Sequence, residues 1–171
     1  MNAANGTYAL VYRVIDIATI PVIAIREAAV PRLFREATNN RGKIKTLTID
    51  LTKRTLLIST VLATLLNLSA PLIPLLVGKS FTDTVTAVRW LCFIPILRSV
   101  HKMPGNAVMG TGKQTYRTAA EMLVAAFNFG INVCWIPRYG WRGEAASNLL
   151  SDSMLACLNR AAFLYLTGAM G

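Results

Sequence analysis

Charged side chains occur inside segments of this chain that are otherwise almost wholly apolar. The first such segment carries Arg13 and Asp16, and the third carries Arg98, His101 and Lys102. A charge at the centre of a bilayer costs at least about 2.5–3.5 kcal/mol on insertion scales, so it usually faces a cavity or a partner. The excess here is cationic. Because arginine binds phosphate through two hydrogen bonds at once, these residues predict a water-accessible cavity for an anionic ligand.

Each of these residues also has a purely structural interpretation. The three-residue spacing places Arg13 and Asp16 on one helix face, where they are able to form an ion pair that merely orients the helix. The Lys102 side chain is long enough to extend to the membrane surface. His101 is a candidate polar group of the site, but a single histidine is more often a hydrogen-bonded packing residue. Both interpretations stay open at this point.

Two later apolar segments contain further polar residues. Glu121 is compatible either with an ion pair at the headgroup level or with ion coupling. Asn128 and Asn132 are spaced to join helices through interhelical hydrogen bonds. Asp152 and Arg160 are expected to pair with neighbouring helices.

No arrangement of residues typical of an enzyme is present. The sequence has no nucleophile with an adjacent base, no HExxH, no GxGxxG and no metal-ligand spacing. The segment Gly110–Gln114 has some likeness to a phosphate loop, but it lacks the required spacing and predicts a tight turn. The cysteines at 92, 134 and 157 lie in apolar runs and are expected to pack as small apolar residues. Neither an enzyme activity nor a cofactor or metal is predicted.

The elements that must position these residues are predicted membrane helices. Residues 55–77 form an uncharged run of 23 residues bracketed by Lys53-Arg54 and Gly78-Lys79, and about 20 apolar residues suffice to cross a bilayer. Hydrophobic residues make up 54% of the chain and charged residues 15%, well below the charge content of about 25% in soluble domains. The predicted fold class is an all-α, polytopic membrane helix bundle. Its five spans are expected at about 7–30, 55–77, 83–108, 116–136 and 143–167.

The distribution of basic residues predicts the orientation of this bundle. Seven of the 18 Lys and Arg residues lie in the segment 31–54, which is predicted to be a cytoplasmic loop under the positive-inside rule. The N-terminus is then periplasmic and the C-terminus cytoplasmic, in an inner membrane. The net charge of +10 does not indicate nucleic-acid binding, because no basic, polar recognition helix is present.

Five blocks of the sequence resemble one family of transporters. They are, in order along the chain, GTYALVYRVIDIATIPVIAIREAAVPRLFR, SAPLIPLLVGKSF, RWLCFIPILRS, GNAVMGTGKQTYR and NVCWIPRYGWRGEAAS. They are similar to stretches of the oligosaccharide flippases (Wzx-like) within the multidrug/oligosaccharidyl-lipid/polysaccharide exporter superfamily. The last block is the most specific.

The resemblance implies a flippase that moves undecaprenyl-pyrophosphate-linked oligosaccharide to the periplasmic leaflet for O-antigen, capsule or exopolysaccharide synthesis. Family members have about twelve to fourteen helices in two lobes, as internal repeats lead one to expect. Five spans therefore correspond to most of one lobe, and the chain is expected to be a C-terminal-lobe fragment. The expected partners are the lipid-linked oligosaccharide, membrane lipid, an N-terminal lobe and other polysaccharide-assembly proteins.

The resemblance also implies roles for individual residues. Arg13 is the leading candidate for contact with the pyrophosphate or sugar phosphate, ahead of Arg98 and then Lys102. Asp16 would tune Arg13 or couple to an ion, and Glu121 is a second ion-coupling candidate. Two alternatives remain: a drug/cation antiporter of the same superfamily, which predicts an anionic cavity, and a non-transporting scaffold of polysaccharide assembly.

Overall fold

A computed structural model of the protein describes the backbone of residues 2–39, 41–72 and 83–168, and side chains within 11–38, 42–72 and 85–166. Within those ranges the chain is helical and contains no strand. The helices are α1 (Asn2–Asn39), α2 (Arg41–Ser69) followed by a 3-10 turn (Ala70–Leu72), α3 (Asp83–Leu91), α4 (Ile94–Gly110), α5 (Gln114–Tyr139) and α6 (Trp141–Gly168). The end of the predicted span 55–77 and the turn after it lie outside the described residues.

The basic segment 31–54 is helical over its described residues, 31–39 and 41–54, which corrects its prediction as a loop. The helix α1 continues through it to Asn39, and α2 begins at Arg41. Two interactions explain this outcome. Leu33 and Ile44 are fully buried, and Ile44 packs in a cluster with Ala37 of α1 and with residues of α4 and α6. The Thr48 hydroxyl donates to the carbonyl of Ile44 at 2.7 Å. Its hydrogen-bonding capacity is therefore satisfied within α2, and it does not compete with the helical backbone.

The predicted span 83–108 is divided into two helices, α3 and α4. The break falls at Cys92 and Phe93, just before Pro95, which lies in the first turn of α4. In an unbroken helix, the ring of Pro95 would clash with the carbonyl of Leu91, four residues earlier. A proline in a first turn has no such conflict, because its missing N–H has no partner there anyway. The single span predicted at 83–108 is therefore interrupted.

Helix α4 occupies the centre of the structure and packs against α1, α2 and α6. On α1 the buried positions include Val11, Ile15, Thr19 and Val22, and this spacing of three or four residues gives one inward stripe. The larger of two apolar clusters joins that stripe to residues of α2, α3, α4 and α6, among them Leu66, Leu91, Ile94 and Ala145.

Two helical segments of the described chain are long and apolar enough to cross a membrane: Gly42–Leu72 and Gln114–Tyr139. The second has only 6% of its most apolar stretch buried inside the protein, whereas the core helix of a soluble protein is mostly covered. Its outward side chains include Met122 at 68% exposure and Phe129 at 73%. Such a continuous apolar surface indicates a membrane location.

The close crossing of α5 and α6 depends on Gly143. A Cβ atom added at Gly143 would lie 2.8 Å from the carbonyl oxygen of Trp135, a backbone atom that cannot rotate away. We therefore expect Gly143→Ala to lower the free energy of unfolding by about 1–3 kcal/mol, the usual cost of overpacking. Thermal unfolding of the purified protein in detergent measures this change.

Gly130→Ala on α5 is the matched control, because nothing lies within 4 Å of the added Cβ atom. Alanine also favours a helix over glycine by about 1 kcal/mol, so this variant should unfold at the wild-type temperature or above it. Equal unfolding temperatures for Gly143→Ala and the wild type would show that the crossing relaxes without cost.

Candidate anion-binding cavity

A polar cavity of about 290 Å³ lies between α1, α4 and α6. Its charged and titratable lining residues are Arg26 of α1, Arg98, His101 and Lys102 of α4, and Asp152 of α6. Three helices thus each contribute at least one ionisable group to a space inside a largely apolar protein. This arrangement fits the rule that charges in apolar bundles face cavities or one another.

The helical period explains why these side chains meet. On α1, Asp16, Thr19, Ile23 and Arg26 follow one another at steps of three or four residues and lie on one face. On α4, the same spacing places Lys102 one turn beyond Arg98. The two helices bring these faces together because their neighbouring apolar stripes are buried in the same core.

Arg98 connects the three helices that enclose the cavity. Its guanidinium lies 3.7 Å from a carboxylate oxygen of Asp16 on α1, and 3.7 Å from one of Asp152 on α6. It also donates a 2.7 Å hydrogen bond to the hydroxyl of Tyr12. The ion pairs are longer than the 2.7–2.9 Å of a tight charge-assisted hydrogen bond. The Arg98 guanidinium is therefore oriented by the tyrosine, and its charge is only loosely matched by the two carboxylates.

His101 faces the same carboxylate from the protein interior. Its side chain is 2% exposed, and its Nε2 lies 3.4 Å from Oδ1 of Asp152. At that distance the geometry is not that of a hydrogen bond, and Nε2 has no other hydrogen-bond partner in the described part of the chain. Asp152 therefore lies between Arg98 and His101, and both contacts are longer than a tight hydrogen bond.

The cationic groups of the cavity differ in how well their charges are matched. Arg26 has the exposed carboxylate of its neighbour Glu27 at 3.1 Å. Lys102 is half-buried and forms no ion pair with any side chain that the structure describes. With Arg98 held loosely, the cavity presents a partly unmatched cationic lining. A phosphate group supplies the anionic oxygens that such a lining binds.

The structure separates the predicted site residues into two groups. Arg98 and Lys102 line the cavity, and Asp16 reaches its edge through Arg98. Arg13 is exposed and lies outside the cavity, and the predicted Arg13–Asp16 ion pair is not formed. Asp16 instead contacts Arg98, 82 positions away in the chain, because those two side chains face each other across the α1–α4 interface.

Glu121 does not line the cavity, but its carboxylate is close enough to act on the charge of Lys102. It accepts a 2.9 Å hydrogen bond from Nε of Arg117, one turn earlier on α5. The same guanidinium donates to the side-chain oxygen of Asn106 at 2.7 Å, which ties α5 to α4. This contact corresponds to the ion-pair interpretation of Glu121.

A second polar cluster joins α5 to α6. Asn128 donates to Oγ of Ser151 at 2.8 Å, and Asn132 donates to the side-chain oxygen of Asn128 at 2.8 Å. The Ser147 hydroxyl donates in turn to the side-chain oxygen of Asn132. The members satisfy one another, so the cluster holds two helices together, as the asparagine spacing predicts.

The sequence does not single out three polar lining residues, Thr19, Arg26 and Ser99. Arg26 lies in the first predicted span, beside Glu27. Its seven-residue distance from Thr19 and its ten-residue distance from Asp16 are the signal that places all three on one face. No group of three or more His, Cys, Asp or Glu side chains suited to a metal occurs among the described residues.

Comparison with protein-family models, with curated proteins and with solved structures gives no match to this chain. A functional proposal therefore depends on the cavity, on the apolar exterior and on the sequence blocks described above.

Proposed function

We propose that this chain is a membrane-embedded lobe of a flippase for polyprenyl-pyrophosphate-linked oligosaccharide. The observation that carries this proposal is the position of Arg98, with Lys102 beside it, in a polar cavity between helices whose outer surfaces are apolar. A pyrophosphate headgroup needs cationic contacts to pass the hydrocarbon layer, while its polyprenyl tail stays in the lipid. A cavity with this lining provides the cationic contacts, and the surrounding bilayer accommodates the tail.

The charges of the lining favour an anionic headgroup over a cationic drug. Three cations, Arg26, Arg98 and Lys102, line the cavity; Glu27 pairs with Arg26, and the carboxylates beside Arg98 are those of Asp16 and Asp152. A site for cations would place carboxylates without partners in the cavity, whereas both of these lie against Arg98. For this reason we favour the flippase over the drug/cation antiporter.

The proposed placement has five spans, with the N-terminus in the periplasm and the C-terminus in the cytoplasm. The two helices that are long and apolar enough to cross a membrane correspond to the second and fourth of these spans. The basic ends of α1 and α2 then lie at the cytoplasmic surface, as the positive-inside rule favours. In this orientation the cavity residues of α4 lie toward the leaflet from which the lipid-linked substrate is collected.

Within this proposal, Arg98 and Lys102 contact the pyrophosphate. Asp16 partly offsets the positive charge of Arg98, and not that of Arg13. Arg13 remains a predicted substrate contact. Its exposed position on α1 suits a role at an interface with a second lobe, where another part of a transport pathway would lie. Glu121 remains the weaker ion-coupling candidate, since Arg117 engages it.

Lipid binding tests the proposal directly. The chain is reconstituted in nanodiscs, and the binding of undecaprenyl pyrophosphate is compared with that of undecaprenol, which has the same tail but no phosphate. We expect the pyrophosphate to bind at least tenfold more tightly, because charged hydrogen bonds contribute about 1.5–3 kcal/mol each. Equal binding of both lipids would refute an anion site and favour a non-transporting role.

Transport is tested by complementation. The chain is expressed in a strain that lacks its flippase, and surface polysaccharide is measured. Restored polymer supports transport by this chain. If the protein inserts stably, binds the pyrophosphate and restores nothing, transport requires a second lobe that this chain does not supply.

A further inference from the structure

A second cavity, separate from the polar one, forms a groove between α2, α4 and α6. It has a volume of about 260 Å³ and is lined mainly by apolar groups, among them Leu56, Val100, Pro104 and Phe163. The Thr48 and Thr52 side chains also line it, but each hydroxyl donates to a carbonyl of its own helix at 2.7 Å. Their methyl groups therefore extend the apolar surface of this groove.

Two cations stand at the edge of the groove on different helices. Lys53 belongs to α2 and Arg160 to α6, and both are exposed lining residues. Neither forms an ion pair with a described side chain, and the nearby carboxylate of Asp50 is engaged by Arg54 at 3.0 Å. The groove thus combines an apolar floor with two unmatched positive charges.

We propose that this groove binds an anionic phospholipid of the surrounding bilayer. One acyl chain occupies the apolar floor, and the phosphate lies between Lys53 and Arg160. Basic pockets between membrane helices on the cytoplasmic side bind anionic headgroups in this manner. Lys53 marks the depth of the headgroup layer, because the uncharged run that begins at Thr55 lies immediately beyond it. The inference rests on the membrane location and does not depend on flippase activity.

Native mass spectrometry of the full chain, released from nanodiscs that contain phosphatidylglycerol and phosphatidylcholine of matched acyl chains, tests the site. We expect selective retention of phosphatidylglycerol, and a loss of about tenfold or more in the Lys53→Gln/Arg160→Gln variant, since each basic residue near the surface strengthens binding about fivefold. Ile49→Trp, at a partly exposed lining position, should also reduce retention by filling the groove while both charges stay in place.

The control Lys113→Gln/Arg138→Gln removes two exposed basic residues elsewhere and should leave retention unchanged. The proposal is overturned if phosphatidylcholine is retained equally, or if the control lowers retention as much as the groove variant. It is also overturned if the groove variants shift the mass from a dimer to a monomer without altering lipid retention, because the groove would then be a contact between copies of the chain.

Discussion

Replacement of Arg98 by alanine should weaken the binding of undecaprenyl pyrophosphate roughly tenfold to a hundredfold. This range follows from the loss of one or two hydrogen bonds to a charged group, each contributing about 1.5–3 kcal/mol. Binding of the lipid to nanodisc-embedded protein measures the change. Arg98→Lys keeps the charge but loses the planar pair of donors, so we expect an intermediate loss.

Arg138→Ala is the matched control for Arg98→Ala. This arginine is exposed near the end of α5 and has no place in the cavity, so its removal should leave binding within twofold of the wild type. If both arginine variants weaken binding equally, the lipid is attracted by the overall positive charge of the protein, and the cavity has no special role.

Asp152→Asn should have the opposite effect on binding. Asp152 is 15% exposed, and its carboxylate lies 3.7 Å from the guanidinium of Arg98, where it competes with a ligand phosphate. Its neutralisation should tighten pyrophosphate binding about fivefold, the effect of roughly 1 kcal/mol of lost competition. Arg98 should stay in place, because Tyr12 accepts its 2.7 Å hydrogen bond and Asp16 remains beside it.

Transport should fall in the same variant. A site without its competing carboxylate retains the phosphate for longer, since affinity differences between related complexes arise mostly in the dissociation rate. Surface polysaccharide in a complemented strain measures transport alongside binding. Asp50→Asn is the control of equal charge, because Asp50 pairs with Arg54 on the exposed side of α2. Weaker pyrophosphate binding by Asp152→Asn would mean that the carboxylate supports the site instead of competing for it.

The helical class and the apolar segments follow from residue types alone. The long uncharged run at 55–77 and the apolar stretch at 116–136 are confirmed over their described residues as parts of helices able to cross a membrane. The extent of α1 and α2 through 31–54 does not follow, because a basic, polar segment is compatible with both a loop and a helix end. What decides it is burial of Leu33 and Ile44 against other parts of the chain.

The composition of the cavity was predictable only in part. Charges within apolar runs identify Arg98 and Lys102 without further information. Which carboxylate faces Arg98 depends on how the helices rotate and pack, so the sequence offers only Arg13, three residues away, as a possible partner of Asp16 and not the distant Arg98. The division of the third span into α3 and α4 also required the structure, since a proline is tolerated in a bend as well as at a helix start.

Arg98 has a consequence for motion as well as for binding. Helices α1 and α6 pack against each other only slightly, and Arg98 links them through Asp16 and Asp152. A phosphate that draws the guanidinium away from both carboxylates would loosen both connections at once. Ligand occupancy and the separation of α1 from α6 would then be thermodynamically coupled, because the bound ligand breaks the contacts of Arg98 that link the two helices.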